Sequence, residues 1–209
     1  MSEYVVKKPA YDLTVRDFFV NFKADTQNKL EALQLKMPVV KSIRVQPGEN
    51  TKEIYASGVI YDTTTLLSDI KVGLNVVALP HEFTDRALGS GGSGAVSYDV
   101  TKPHKEEFAC GYWAEKSDGG KVYYYHPRCK LVQGDEEMKT SESGQLPEPN
   151  LSYTLMILPT DENVWRARYD TGKVDAGKVP LTPEEFFAAA PETIEQILAI
   201  SGTEKAVTG

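Results

Sequence analysis

Between Phe108 and Val132 the chain carries two strand-like segments on either side of Lys116-Ser117-Asp118-Gly119-Gly120, and this hairpin constrains the fold more than any other stretch. Asp-Gly-Gly supplies residues that tolerate the positive φ of a tight turn or bulged loop. On the second arm Tyr123, Tyr125, Cys129 and Leu131 are expected on one face, and His126, Arg128 and Lys130 on the other. Pro127 cannot donate a ladder hydrogen bond, so this arm is expected at an edge or at a bulge. Tyr123-Tyr124-Tyr125 stand opposite Tyr112 and Trp113, which predicts cross-strand aromatic packing and also suits a subunit interface.

A period of two recurs elsewhere. Ile70, Val72, Leu74 and Val76 alternate with Lys71, Gly73 and Asn75; Leu151, Tyr153, Leu155 and Ile157 alternate with Ser152, Thr154 and Met156. Trp165, Ala167 and Tyr169 are expected on one face of a further strand, Ile43 and Val45 with Val39 on another, and Phe18, Val20 and Phe22 begin one near the N-terminus. Helices are few. Pro80–Leu88 has proline in its first turn, Phe83 and Ala87 four apart and Gly89 as a stop. Thr182-Pro183-Glu184-Glu185 is a capping box, and Pro191 is expected to restart a second helix with an apolar stripe of Ile194, Ile197 and Leu198, ended by Gly202. Thr203–Gly209 reads as frayed. These patterns predict a mainly β protein, with a β domain over residues 1–178, long loops near 89–106 and 133–150, and a helical C-terminal extension over 179–209.

The 209 residues suffice for one sizeable domain with an appendage, and 41% hydrophobic against 25% charged residues is a globular balance. No apolar run spans a bilayer, and Met1–Leu13 lacks a secretory pattern, so folding is expected in the cytosol, with Cys110 and Cys129 kept as thiols. Net charge is −7; residues 101–209 carry 12 Lys+Arg against 18 Asp+Glu, where residues 1–100 carry 11 against 12. Gripping nucleic acid needs concentrated positive charge, which this chain lacks.

No motif assigns a catalytic, cofactor-binding or metal site. The run Gly89-Ser90-Gly91-Gly92-Ser93-Gly94 is followed by Ala95 and Val96 rather than the lysine and Ser/Thr of a phosphate-binding loop, and reads as a mobile connection. A metal would have to recruit His81, His104, His126, Cys110 and Cys129, which show no ligand spacing. His126 and Cys129, three apart in a strand, are expected on opposite faces, giving an exposed histidine and a buried thiol. Asp135-Glu136-Glu137 lacks an oxygen-rich loop with glycine and reads as a solvated acidic turn.

Phe108–Thr140 resembles the major tail proteins of siphophages of Gram-positive bacteria. The resemblance lies in a glycine-containing strand of small residues (Phe108–Tyr112), a Lys116-Ser117-Asp118-Gly119 turn, the aromatic strand Tyr123–Tyr125, the basic-apolar Arg128–Val132, and the acidic Asp135-Glu136-Glu137 with Thr140. Glu53–Ala56, Ile60–Asp62, Leu79–Glu82 with Leu88-Gly89, Leu146–Pro149 and Trp165 agree in order and spacing, so the similarity spans Val15 to about Asp175. The Gly-Ser run and the helices after Thr182 depart from the family pattern. The resemblance implies two packed antiparallel sheets (a β-sandwich, the tail-tube fold) with a short flanking helix. It implies sixfold rings of the protein itself, stacked into a tube around the tape-measure protein and later around passing DNA, with a hydrophilic, locally acidic lumen. Tail terminator and distal tail proteins are the implied further partners, and the virion tail, reached from the host cytoplasm, is the implied location. Gln133–Asn150 and the glycine-rich loop are expected at subunit contacts. Another β-sandwich phage module, a capsid decoration protein or a tube-like protein of a contractile system, is the alternative.

Overall fold

The computed structural model describes residues 10–22, 35–37, 40–56, 59–93, 95–132, 134, 151–175, 177–188, 191–200 and 205–206, without the side chains of 35–36, 54–61, 64–66 and 205–206. The chain is mainly β. In order its elements are β1 (Asp12–Phe22), β2 (Leu35–Met37), β3 (Val40–Ala56), β4 (Val59–Val76), α1 (His81–Leu88), β5 (Gly91–Ser93), β6 (Val96–Tyr98), β7 (Phe108–Lys116), β8 (Lys121–Val132), β9 (Leu151–Ile157), β10 (Ala167–Asp170), β11 (Lys178–Val179), α2 (Pro183–Ala188), α3 (Ile194–Ala199) and β12 (Lys205–Ala206).

Eight strands form one antiparallel sheet in the order β2-β1-β7-β8-β9-β4-β3, with β10 also on β8. The sheet bends into two leaves because β8 changes partner partway along. Val122–Tyr125 pair with β10, whereas Cys129–Val132 pair with β9. Between them Phe108 stands opposite Cys129 but Cys110 opposite His126, so β8 carries one extra residue around Pro127. A residue inserted in a ladder reverses which face the following side chains point to. Tyr123 and Tyr125 therefore lie in one core and Cys129 and Leu131 in the other, not on the single face expected from regular alternation.

The first core fills the space between the leaves. Phe18 and Val20 of β1 and Phe108 and Cys110 of β7 meet Val72, Leu74, Val76, Leu131 and Leu155 of the opposite leaf, and α1 adds Phe83 and Ala87. The alternation read for Ile70–Val76 holds residue by residue, with Ile70, Val72, Leu74 and Val76 buried. Helix α1 also matches its expected form: Pro80 precedes it, and Gly89 closes it in the left-handed region at φ 76°. A Cβ at Gly89 would lie within 3 Å of the His104 backbone, a second reason for glycine there.

The second core lies on the outer face of β1, β7, β8 and β10 and is covered by the C-terminal segment. Phe19, Tyr123, Tyr125, Ala167 and Tyr169 pack against Leu181, Phe186, Phe187 and Ile200. Phe187 lies against Gly111, where a Cβ would stand 2.2 Å from its ring, so the glycine leaves room for the helix. Two phenols fix the approach to α2: Tyr123 Oη donates to the Leu181 carbonyl at 2.9 Å, and the Leu181 N–H donates to Tyr169 Oη at 3.2 Å. The Thr182–Glu185 capping box forms reciprocally, at 2.9 and 3.2 Å.

Trp165 precedes β10 and packs on the inner core, while Ala167 and Tyr169 face the outer one. Helix α3 starts at Ile194 under a Thr193–Gln196 capping box rather than at Pro191. It packs through Ile197 and Ile200, leaving Ile194 and Leu198 exposed, because the neighbouring surface lies on that side. Lys205–Ala206, read as frayed, pairs with β11. Gly91–Ser93 pairs with Val96–Tyr98, so the glycine run is a small hairpin rather than a structureless connection; the Tyr98 ring occupies the space a Cβ on Gly91 would need. Val39, Gly94, Gly202 and, Gly134 apart, Gln133–Asn150 lie outside the described residues.

His126, expected at the surface, is fully buried beside the bulge. Its ring lies 6.0 Å from both Tyr112 and Trp165, and its Nδ1 is 3.0 Å from the Trp165 carbonyl. Burial lowers its pKa to about 4, against the opposing hydrogen bond to Trp165 and with a smaller contribution from the Arg166 charge. The imidazole is therefore neutral at pH 7, with Nδ1–H donating. The unfolded imidazole takes up a proton below its ordinary value of 6.5, the folded one only near 4. His126 thus contributes stability that is complete above pH 6.5 and is lost as pH falls towards 4, about 3 kcal/mol in all. A thermal melt series should show a falling Tm across this window, and His126→Gln should flatten that segment of the profile; an unchanged slope would contradict the assignment.

Candidate functional site: an assembly surface

Beyond Gln46 the strands β3 and β4 run past the body of the sheet. Strand β9 covers β4 only from Lys71 to Val76, while β3 and β4 remain paired from Gly48↔Ser68 to Ala56↔Val59. Nine residue pairs at about 3.3 Å each make a two-stranded ribbon roughly 30 Å long. Among the described residues no third strand pairs with it. Glu49, Asn50, Thr51, Lys52 and Glu53 are consecutive and all exposed, as are Asp62 and Thr63, so neither face of this stretch is buried. A lone two-stranded hairpin is marginal in water, and this one gains its support at its base.

That base is built by a bulge. Register shifts between Gln46 and Gly48, Asp69 opposite takes φ 50°, and Asn50 Nδ2 donates to Ser68 Oγ at 2.8 Å. A Cβ on Gly48 would stand 2.4 Å from the Ser68 carbonyl oxygen, so only glycine permits this closeness.

A second feature is the gap between the two leaves. On the side away from β7, strand β1 is paired by β2 only at Phe18–Val20, and on the side away from β4 no described strand pairs with β3. The margins around Leu13–Arg16 and Ser42–Gln46 flank a cleft of about 460 Å³, lined by Leu13, Val15, Ile43, Val45, Tyr112 and Arg166, among others. Its floor is polar and aromatic. Tyr124 stacks on Tyr112 at 5.2 Å and donates to Asp12 Oδ2 at 3.0 Å, and the Arg166 guanidinium lies 5.8 Å from the Tyr124 ring. Burial, and then the Asp12 hydrogen bond, raise the Tyr124 pKa; burial raises that of Tyr112 further. An edge strand can accept an added strand through its backbone N–H and C=O groups, and the exposed Arg44 on β3 disfavours indiscriminate pairing.

The chemistry weighed from sequence is dispersed. His81 and His104 line one cleft of about 920 Å³ between α1 and the β5–β6 hairpin, with Glu82, Asp85 and an Arg86–Glu106 ion pair at 2.6 Å. His126 is buried elsewhere, and Cys110 and Cys129 sit in the inner core. No three metal-ligating side chains converge among the described residues. The bulge puts Cys129 near the His126 backbone, its Sγ 3.8 Å from that carbonyl, rather than on the opposite face. Asp135-Glu136-Glu137 lies outside the described residues. The Tyr112↔Tyr124 and Trp113↔Tyr123 pairing is the cross-strand aromatic packing expected of the hairpin. On the β5–β6 hairpin and beyond it, Val96, Tyr98 and Val100 are exposed and form an apolar surface.

No protein-family model matches the chain, and no curated protein matches it.

The ribbon was not anticipated from sequence. Gly48→Val should disrupt its base while leaving the body intact: global Tm within a few degrees of the parent, with tryptic cleavage at Lys52 accelerated roughly tenfold, the effect of about 1–3 kcal/mol of local strain. Unchanged cleavage would show that the bulge does not hold the ribbon.

Proposed function

We propose that this protein is a structural virion subunit, the major tail protein of a siphophage of Gram-positive bacteria, which polymerises as stacked hexameric rings into the tail tube that conducts DNA into the host. The observation that carries the reading is the ribbon, exposed along consecutive residues and continuous with β3, an edge strand with no partner strand on its outer side among the described residues. Such margins are aggregation sites unless another chain satisfies them in a defined way. A head-to-tail arrangement of identical copies does this and closes into a ring. The ribbon then reaches about 30 Å from one ring to the next. The Phe108–Thr140 resemblance supports the same reading, and the exposed Val96, Tyr98 and Val100 offer a second contact surface.

Its partners are further copies of itself, the tape-measure protein inside the tube, and tail terminator and distal tail proteins at the ends. It resides in the virion tail after assembly in the host cytoplasm, and carries no catalytic role. The net −6 of residues 101–209 suits a wall past which DNA moves without adhering.

Negative-stain microscopy of concentrated purified protein is expected to show long tubes of uniform diameter. Replacing Glu49–Leu66 by a two-residue turn should abolish tubes while far-UV circular dichroism and melting of the body persist. Isolated rings that never stack would favour a decoration-type or other β-sandwich phage module, and a monomer at every concentration would overturn the reading.

A further inference from the structure

The inner core holds two thiols in direct contact. Cys110 Sγ and Cys129 Sγ are 3.3 Å apart, and both residues are wholly buried. They lie on adjacent strands at the place where the β7–β8 ladder shifts register, Cys110 opposite His126 and Cys129 opposite Phe108. The extra residue of β8 is what brings them together: in an unbulged strand the faces of His126 and Cys129 would differ, and Cys129 would point away from Cys110. Cys129 Sγ also approaches a weak acceptor, the His126 carbonyl at 3.8 Å.

We propose that Cys110 and Cys129 are a site of intramolecular disulfide formation, closed by a disulfide oxidant such as oxidised glutathione, which clips β7 to β8 at the corner of the fold. This inference is independent of the assembly reading. In the reaction one cysteine thiolate attacks a sulfur of oxidised glutathione and expels one glutathione thiolate. The second cysteine thiolate attacks the cysteine sulfur of the mixed disulfide and expels the other glutathione. Two protons leave the protein thiols, and the two electrons end on glutathione, which is reduced to two thiols. The sulfurs must close from 3.3 Å to the bond length of about 2.05 Å.

Access sets when this happens. The thiolate is the attacking form, and burial, reinforced by the neighbouring Cys110, pushes the Cys129 thiol well above its ordinary range. The folded core therefore resists oxidants, and the bond forms during folding or when the corner opens. A reducing compartment keeps the pair as thiols; an oxidising one converts it.

The full-length chain is unfolded, then refolded in a glutathione redox buffer biased towards the oxidised form, with a parallel sample kept in reductant. Expected for the oxidised sample are an intact mass lower by two hydrogens, no titratable thiol under denaturing conditions, and a peptide map joining the Cys110 and Cys129 peptides. Closing a loop of this size should raise Tm by about 5–10 °C over the reduced sample. Cys110→Ala and Cys129→Ala should each stop at a glutathione adduct. Two free thiols after oxidative refolding, stable adducts or covalent dimers as the end product, or a Tm lowered by the bond would each overturn the proposal. The wild-type chain alone delivers these outcomes, so it decides the matter even where an alanine variant misfolds.

Discussion

Strand β8 is a single strand that serves two leaves, and the rest of the structure depends on how it does so. Its first half pairs with β10, its last four residues with β9, and the residue inserted around Pro127 turns the side chains over between the two. Proline fits there because a bulged position needs no ladder donor. The reversal gives the chain two hydrophobic cores from one sheet: Cys129 and Leu131 close the inner one, while Tyr123 and Tyr125 found the outer one. Burying His126 at the turning point costs stability in acid, and the site tolerates it because Nδ1 meets the Trp165 carbonyl and the ring lies between Tyr112 and Trp165. Nearby, Glu107 is held below the usual carboxylate range although burial acts to raise it, since hydrogen bonds and charge from Arg128 and Lys130 outweigh that effect.

The outer core explains why the C-terminal segment stays on the sheet. Its helices are six residues each, too short to hold together by backbone hydrogen bonding alone. They are held by aromatic packing: Phe187 lies 4.4 Å from Phe19, Phe186 5.5 Å from Tyr123 and Tyr169. Truncating a buried phenylalanine of this kind costs about 3–5 kcal/mol. The two hydroxyls on Leu181 add direction to a contact that packing alone would leave loosely oriented.

Much of this was legible in the sequence, and the gaps have physical causes. The Asp-Gly-Gly turn, the alternation of Ile70–Val76 and the proline-to-glycine bounds of α1 depend on local chemistry and were read correctly. The faces of β8 were not, because one inserted residue inverts a period-two pattern without altering composition; Pro127 was the only local sign of it. The ribbon escaped because alternation reports a buried face, and Glu49–Glu53 have none. The β5–β6 hairpin escaped because glycine-rich strands owe their order to neighbours such as Tyr98, not to propensity. Trp165 departs from the alternation of Ala167 and Tyr169 because it lies before β10 begins.

In the proposed assembly, the outer side of β3 and the ribbon complete their backbone pairing in other copies of the chain. Amide hydrogen exchange, followed by mass spectrometry through a concentration series that spans assembly, tests this most directly. Peptides covering residues 42–53 should exchange rapidly in dilute protein and become strongly protected on assembly, while peptides of β8 stay protected throughout. Equal exchange across residues 42–53 in the dilute and assembled states would rule such an assembly out.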